Sequence, residues 1–123
     1  QDFVIDGRPR GSRGKGLRAI TYAACTIALM EYCKERDLPH PGFAVLDSPL
    51  LAYWKPEGIE DNLQGTDLKD RFYEYITSKA VDYQIIILEN EHPPIGLSNM
   101  EVTIFTKNEL NGRYGFFPRT KEA

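Results

Sequence analysis

The stretch FAVLD, residues 43–47, is a continuous apolar run that ends in an aspartate. Such a run is typical of a strand that is buried on both faces of a parallel sheet. A second run, YQIIILEN at residues 83–90, has the same character and ends in a carboxylate and an amide. The two stretches therefore predict two central strands of one sheet.

Helical patterns lie before and between these two strands. From Leu17 to about Arg36, apolar residues recur every three or four positions, which predicts a long and largely buried helix. Residues 66–79 predict a second, amphipathic helix with Thr66 as its N-cap. Its inward stripe is expected to consist of Leu68, Phe72, Tyr75 and Ile76. A single turn of helix is expected at residues 49–53.

Short β segments are predicted at both ends of the chain. Residues 2–6 give an expected first strand, and residues 101–105 and 113–117 give edge strands or a closing hairpin. This order predicts an α/β fold with a mainly parallel sheet flanked by helices and a β-rich C-terminal tail. Residues 1–123 are predicted to form a single domain.

Polar residues follow both central strands. Asp47 and Ser48 come at the end of the first, and Glu89 and Asn90 at the end of the second. Because ligands bind beyond the carboxyl ends of parallel strands, these four residues are expected to share one functional edge. An aspartate that ends an apolar strand has the form of a Walker B residue for Mg²⁺, although an aspartate that only caps a turn has the same form.

The stretch GRPRGSRGKGLRAI, residues 7–20, opens the first predicted helix with four glycines and no acid. Glycine-rich backbone and helix N-terminal amides favour an anion, and Arg13 and Lys15 add positive charge. A P-loop does not fit, because Pro9 stands where its first glycine belongs and Gly16 where its hydroxyl belongs. The alternative is a solvated basic loop.

Charge and cysteine usage limit the possible environments. The formal net charge is −3, so the chain as a whole lacks the basic excess of a nucleic-acid binder. Cys25 and Cys33 lie about 12 Å apart along one predicted helix, too far for a disulfide. Free thiols, no signal peptide and no membrane-spanning run predict a cytoplasmic protein. Because Gln1 stands almost inside a strand, the chain is expected to be a piece of something longer.

Taken together, the order of motifs resembles the C-terminal lobe of an ABC-type ATPase head of the SMC and Rad50-like kind. The order is a Gly/Ser loop, a long helix, an apolar strand ending in Asp-Ser-Pro, a helix and a Gln-led apolar strand, and it covers about residues 1–106. The phrases GKGLRAITYAA, LPHPGFAVLDSPLLAY, GTDLKDRFYEY and QIIILEN look still closer to a group of bacterial coiled-coil ATPases. The resemblance implies a P-loop NTPase-like C-terminal half whose N-terminal Walker A lobe is not on this chain.

By position, the resemblance also implies roles for individual residues. The signature loop, which in the family reaches across a head dimer to the γ-phosphate of the partner's ATP, is matched by Ser12, Arg13, Gly14 and Lys15, followed by Gly16. Asp47 matches the Walker B aspartate that binds Mg²⁺, and Asn90 matches the switch position, usually a histidine. Ser48 stands where the catalytic glutamate is usual, so Glu89 is the candidate base.

The function implied by the resemblance is ATP hydrolysis with Mg²⁺ between dimerised heads, in DNA maintenance, repair or anti-phage defence. The implied partners are the Walker A lobe, a second head and DNA, with no membrane. Without a Walker A lobe, this chain alone is not expected to hydrolyse ATP. Two alternatives are a non-hydrolysing, nucleotide-gated interaction module and, less favoured, a metal-dependent nuclease with Asp47 and Glu89 as ligands.

Overall fold

The computed structural model describes residues 4–55, 58–59, 64–79 and 83–117. Its strands are β1 (Val4–Ile5), β2 (Arg8–Pro9), β3 (Phe43–Asp47) and β4 (Gln84–Leu88). Its α-helices are α1 (Lys15–Glu35), α2 (Leu51–Trp54) and α3 (Leu68–Lys79), and a short 3₁₀ turn spans Arg10–Ser12. None of the helices in these ranges is both long and apolar enough to cross a lipid bilayer.

The two central strands form a parallel pair. β3 and β4 are in register from Phe43 opposite Gln84 to Asp47 opposite Leu88. The predicted strand at residues 43–47 is therefore confirmed, and the second strand is confirmed within the predicted range. A parallel pair needs a long crossover, and α3 lies in the segment that joins these strands. Two strands are common to many α/β folds, so the P-loop-like architecture stays a prediction.

The core lies on one face of this pair. Ala23 and Ile27 of α1 pack with Leu46 of β3 and Ile76 of α3. A second cluster joins Met30, Ala44 and Tyr83. Burial alternates along both strands, as expected for a sheet with one covered face.

The other face of the sheet is open in the described part of the chain. The exposed side chains on it include Phe43, Val45, Ile86 and Leu88. The prediction that both strands are buried on two faces is therefore wrong for this structure. The sequence contains apolar residues for both faces, but the described helices cover only one.

The first predicted strand belongs to a separate hairpin. β1 pairs antiparallel with β2, through a two-residue connection made by Asp6 and Gly7. Both of these residues have positive φ, which is the requirement of a tight type I′ turn. The first strand, predicted at residues 2–6, is therefore confirmed at Val4–Ile5, where it belongs to this hairpin and is not paired with β3 or β4. Residues 2 and 3 of that prediction lie outside the described residues.

The predicted β-rich tail is also not formed in residues 101–117, the part of the tail that the structure describes. Between residues 101 and 117 the only β pairing is an isolated bridge from Phe105 to Arg113. The Thr106 hydroxyl donates to the carbonyl of Asn111 at 2.6 Å and accepts from the amide of Asn108 at 3.1 Å. These local side-chain bonds close a loop where a hairpin ladder was expected.

The helices agree with the sequence pattern except at their ends and on one face. α3 begins at Leu68. The first backbone hydrogen bond of the helix runs from the amide of Arg71 to the carbonyl of Asp67. Asp67 is therefore the N-cap residue, one position after the predicted Thr66. Ile76 is buried as expected. Tyr75, which was predicted to face inward, is exposed, and Tyr73 is buried instead. The buried side of α3 is therefore rotated relative to the predicted one.

Candidate functional site

The carboxyl ends of β3 and β4 bring the predicted edge residues together. Asp47 is paired with Leu88, so Ser48 and Glu89 are the next residues on the two strands. The amide of Ser48 donates to the carbonyl of Leu88 at 2.8 Å, which extends the pairing by one bond. The shared edge inferred from the sequence is therefore present.

A left-handed residue shapes this edge. Ser48 has a φ of +47°, a conformation that is uncommon for a residue with a side chain. The turn sends Pro49 and Leu50 into the interior, while the carboxylate of Asp47 stays exposed. The Ser48 hydroxyl donates to Oδ1 of Asp47 at 3.0 Å. Asp47 is thus an oriented, solvent-accessible carboxylate at the end of a strand that is buried on one face.

Glu89, which follows β4, connects the end of this strand to the segment that follows β3. Its Oε1 accepts from the amide of Leu50 at 2.9 Å, immediately before α2. Its Oε2 accepts from the amide of Asn90 at 3.3 Å. The half-buried carboxylate therefore holds two backbone amides, and Asn90 itself is exposed. Glu89 fixes the start of α2 relative to the end of β4.

A cavity of about 290 Å³ opens beside Glu89. Its lining residues are Leu50, Tyr53, Gln64, Gly65, Lys69, Tyr73, Glu89 and Glu91. Burial, and secondarily the negative charge of Glu89, raise the pKa of the Tyr73 phenol to about 12. Tyr73 therefore stays protonated at neutral pH.

Lys69 and Tyr73 form the α3 side of this cavity and are not among the site residues predicted from the sequence. The available signal was their spacing of four residues, which puts both side chains on one side of a helix. The contribution of the 64–65 segment depends on long-range packing and had no sequence signal.

The proposed signature loop is folded back on itself. Ser12 lies in the 3₁₀ turn, and its hydroxyl donates to the carbonyl of Pro9 at 2.7 Å. Arg13 donates from Nη2 to the carbonyl of Ile5 at 2.9 Å, and the same nitrogen lies 3.9 Å from Asp6. Arg13 is therefore held by the β1–β2 hairpin, and its expected role as an anion ligand requires this contact to open.

The two glycines at the start of α1 have different structural roles. Gly14 is the N-cap and has an ordinary φ of −57°, so it does not need the freedom of glycine for its backbone angle. Gly16 is buried against Ala52 of α2, and a Cβ there would collide with both the backbone and the side chain of Ala52. This contact brings the start of α1, with the exposed Lys15, to the edge that carries Asp47.

Whether Mg²⁺ can bind at Asp47 depends on which other groups supply ligands. Among the residues described by the structure, no group of three or more His, Cys, Asp or Glu side chains is placed to hold a metal. Mg²⁺ is commonly bound by one or two carboxylates together with water and substrate phosphates. Asp47 therefore fits the protein ligand of a magnesium–nucleotide complex, whereas the described residues do not form an all-protein metal cage.

Comparison of the chain with protein-family models, curated proteins and solved structures finds no match.

Proposed function

We propose that this chain is the C-terminal lobe of an SMC/Rad50-like ATPase head that binds and hydrolyses ATP between dimerised heads. The observation that supports the proposal most directly is the edge itself. The start of α1 packs against α2, and α2 begins shortly after the exposed Asp47 and the half-buried Ser48. Two motifs that are separate in the sequence thus reach the same end of the molecule, where α/β folds bind ligands.

In this proposal, the edge residues have distinct tasks. Asp47 supplies one carboxylate ligand to Mg²⁺, and the ion neutralises charge on the nucleotide phosphates when bound. Ser48 orients Asp47 through the 3.0 Å hydrogen bond. The segment from Ser12 to Gly16 contributes backbone amides and the Lys15 charge to a nucleotide held by the partner head. Asn90 lies beside the reacting edge at the switch position.

Glu89 is the proposed base that polarises the attacking water. It lies on the strand adjacent to Asp47 and lines the cavity at the edge. Its carboxylate also accepts from Leu50 and Asn90, so it is held in one orientation. An oriented carboxylate is suited to general base catalysis when water reaches its remaining lone pairs.

The open face of the sheet supports the proposal of a second lobe. Parallel strands occur almost only in sheets with both faces covered. The outer residues Val45, Ile86 and Leu88 are apolar and exposed. We assign this face to the Walker A lobe of the same protein. A cytoplasmic location and action on DNA in maintenance, repair or anti-phage defence belong to the same proposal.

Reconstitution tests this assignment. ATP turnover with Mg²⁺ is measured for this chain alone and after addition of the Walker A lobe. We expect no turnover from the chain alone and measurable turnover from the pair. Val45→Glu, which puts a charge on the outer face, should weaken the reconstitution, whereas Glu101→Gln in the exposed tail should not. Turnover that is absent even in the intact protein would contradict hydrolysis.

A second candidate, the nucleotide-gated module without hydrolysis, is favoured by one specific observation. Ser48 replaces the usual catalytic glutamate, and both oxygens of Glu89 are engaged by backbone amides. A base with its oxygens so engaged is less available to water. Tight Mg²⁺-dependent ATP binding by the intact protein, with no turnover, would select this candidate.

A further inference from the structure

The β1–β2 hairpin holds two residues of the proposed signature loop. The Ser12 hydroxyl donates to the carbonyl of Pro9 in β2 at 2.7 Å, and Nη2 of Arg13 donates to the carbonyl of Ile5 in β1 at 2.9 Å. The same nitrogen lies 3.9 Å from the carboxylate of Asp6 in the turn. Each strand of the hairpin therefore provides a carbonyl acceptor to the loop that is proposed to reach the γ-phosphate.

The hydrogen bonding of Arg13 is incomplete in this arrangement. Its side chain is 23% exposed, and its buried Nε has no hydrogen-bond partner among the described residues. Nε and Nη2 lie on the same side of the guanidinium, so they can donate together to two oxygens of one oxyanion. The Ile5 carbonyl offers a single oxygen, and a phosphate therefore satisfies the donors of Arg13 better than the hairpin does.

The hairpin that holds Arg13 is held only weakly itself. In the described part of the chain it contains two residue pairs, Val4 with Pro9 and Ile5 with Arg8. Val4 is exposed, and neither β1 nor β2 contains a buried residue. A two-stranded hairpin that removes so little apolar surface from water is marginally stable, so it can open without unfolding the core.

The turn of the hairpin depends on Gly7. Asp6 and Gly7 have φ of +50° and +70°, and a type I′ turn requires positive φ at both of its central positions. A Cβ at Gly7 meets no atom within 4 Å, so a substitution there acts chiefly through the backbone conformation. A β-branched residue tolerates this conformation poorly. Gly7→Val is therefore a selective way to open the hairpin.

We propose that the β1–β2 hairpin is an autoinhibitory latch on the signature loop. In the closed state, the Ile5 carbonyl and the Asp6 carboxylate retain Arg13. The phosphate oxygens of a nucleotide on the partner head compete for Arg13 and release the latch. A ligand shifts such an equilibrium by binding one state more tightly, and the phosphate binds the open state, in which Arg13 is released. This inference rests on the proposed function, because the latch regulates the same loop.

Chemical labelling of Arg13 in the intact protein, without nucleotide, measures whether the latch is closed. Phenylglyoxal modifies accessible guanidinium groups, and mass spectrometry of the resulting peptides distinguishes Arg13 from the other arginines. We expect Arg13 to react about threefold or more faster in Gly7→Val than in wild type, because positive φ is costly for valine. Gly96→Val is the matched control, since Gly96 also has positive φ and open space around its Cβ position, and it should leave the rate unchanged.

Dimerisation of the intact protein measures whether the latch regulates nucleotide binding. Analytical ultracentrifugation with Mg²⁺ and a non-hydrolysable ATP analogue gives the analogue concentration at which half of the heads are dimeric. We expect Gly7→Val to lower this concentration about threefold or more, because a larger fraction of the protein is already in the open state. Arg13→Ala should raise it, and Gly7→Val should lose most of its effect in an Arg13→Ala background. Gly96→Val should behave as wild type.

Three results would overturn the latch alone. They are equal labelling of Arg13 in Gly7→Val and wild type, faster labelling with no change in dimerisation, and a shift in dimerisation that is as large without Arg13 as with it. Absence of nucleotide-dependent dimerisation in the wild-type protein would instead contradict the proposed function, and the latch with it. Asp6→Asn, which removes the carboxylate but tolerates positive φ, should shift both measurements in the same direction by less and keeps the test decisive if Gly7→Val does not fold.

Discussion

At the scale of single residues, Gly16 has a structural role in the fold that its position in the glycine-rich motif does not reveal. The sequence suggested glycines that let the backbone approach a phosphate. In the structure, Gly16 is a buried helical residue whose missing side chain allows α1 and α2 to touch. A glycine that is needed for a helix–helix contact has the same sequence signal as one that is needed for a ligand contact, and only the fold distinguishes them.

Gly16→Ala should therefore destabilise the chain. The added Cβ has to displace the backbone of Ala52, and overpacking of this kind costs about 1–3 kcal/mol. Urea unfolding measures the loss. Because the collision involves backbone atoms as well as the Ala52 methyl, Ala52→Gly should not restore stability in the double variant. Gly58→Ala, where a Cβ meets nothing within 4 Å, is the neutral control.

Glu89 combines a structural contact with its proposed catalytic role, and two substitutions separate them. Glu89→Gln keeps a carbonyl oxygen for the amide of Leu50 but cannot accept a proton, so hydrolysis by the intact protein should fall about a hundredfold or more with ATP binding retained. Glu89→Ala also removes the contact and should lower thermal stability. Unchanged turnover in Glu89→Gln would rule out this residue as the base.

Tyr75 and Glu31 join α3 to α1, and their titration gives a pH prediction. Tyr75 donates to Oε2 of Glu31 at 2.7 Å. This bond lowers the pKa of Glu31 and raises the pKa of Tyr75 to about 12. The Tyr75 contribution is complete below its usual pKa of about 10 and is lost as the pH rises toward 12. The Glu31 contribution is complete above its ordinary pKa and is lost as the pH falls through the lowered value.

Tyr75→Phe should consequently cost about 0.5 kcal/mol of unfolding free energy at pH 7, a small value because the site is exposed. The deficit relative to wild type should shrink in acid, where Glu31 is protonated, and above about pH 12. Denaturant unfolding across this pH range measures it. Tyr22→Phe, on the exposed side of α1, is the matched control, and an equal deficit in both variants would contradict the assignment.

At the scale of elements, β3 and β4 could be predicted because their apolar runs are long and end in sharp polar signals. Their pairing also followed, since a helix between two such strands favours a parallel crossover. The apolar pattern of these strands could not show whether one face or both faces of the sheet are covered. An apolar residue that faces solvent in this chain has the same sequence signal as one in a core.

Two neighbouring residues of β3 allow the covered and the open face of the sheet to be compared. Leu46 is 2% exposed and Val45 is 50% exposed. Leu46→Ala should cost about 2–4 kcal/mol of unfolding free energy, whereas Val45→Ala should cost about 0.5 kcal/mol in the isolated chain. Chemical denaturation of the two variants provides the comparison. Similar costs would show that the outer face is already covered in solution.

The tail illustrates a different limit of sequence patterns. Residues 101–105 are rich in β-branched and aromatic side chains, and that composition favoured a strand. A strand also requires a partner edge, and the described residues provide only the Phe105–Arg113 bridge. Thr106 and Asn108 instead use side-chain oxygens to bind local amides. Local side-chain hydrogen bonds therefore hold this segment as a loop, although its composition favours a strand.

At the scale of the whole molecule, the sequence predicted which residues share one edge of the sheet, and the structure brings them together there, but the sequence did not predict what surrounds them. Asp47, Ser48 and Glu89 could be predicted to meet because they end adjacent parallel strands. The cavity beside Glu89 and the contact of Gly16 with Ala52 arise from tertiary packing, which no local spacing encodes. The outer face of the sheet, on which Val45, Ile86 and Leu88 are exposed, is an apolar surface suited to contact another element.

The most direct test of the account is ATP turnover by the intact protein with Mg²⁺, with and without DNA, comparing wild type with Asp47→Ala. Glu101→Ala, which removes an exposed carboxylate from the tail, is the control. We predict that turnover falls about a hundredfold or more in Asp47→Ala and is unchanged in Glu101→Ala. Equal turnover in the two variants, or an intact protein that neither binds nor hydrolyses ATP, would contradict the proposed ATPase site.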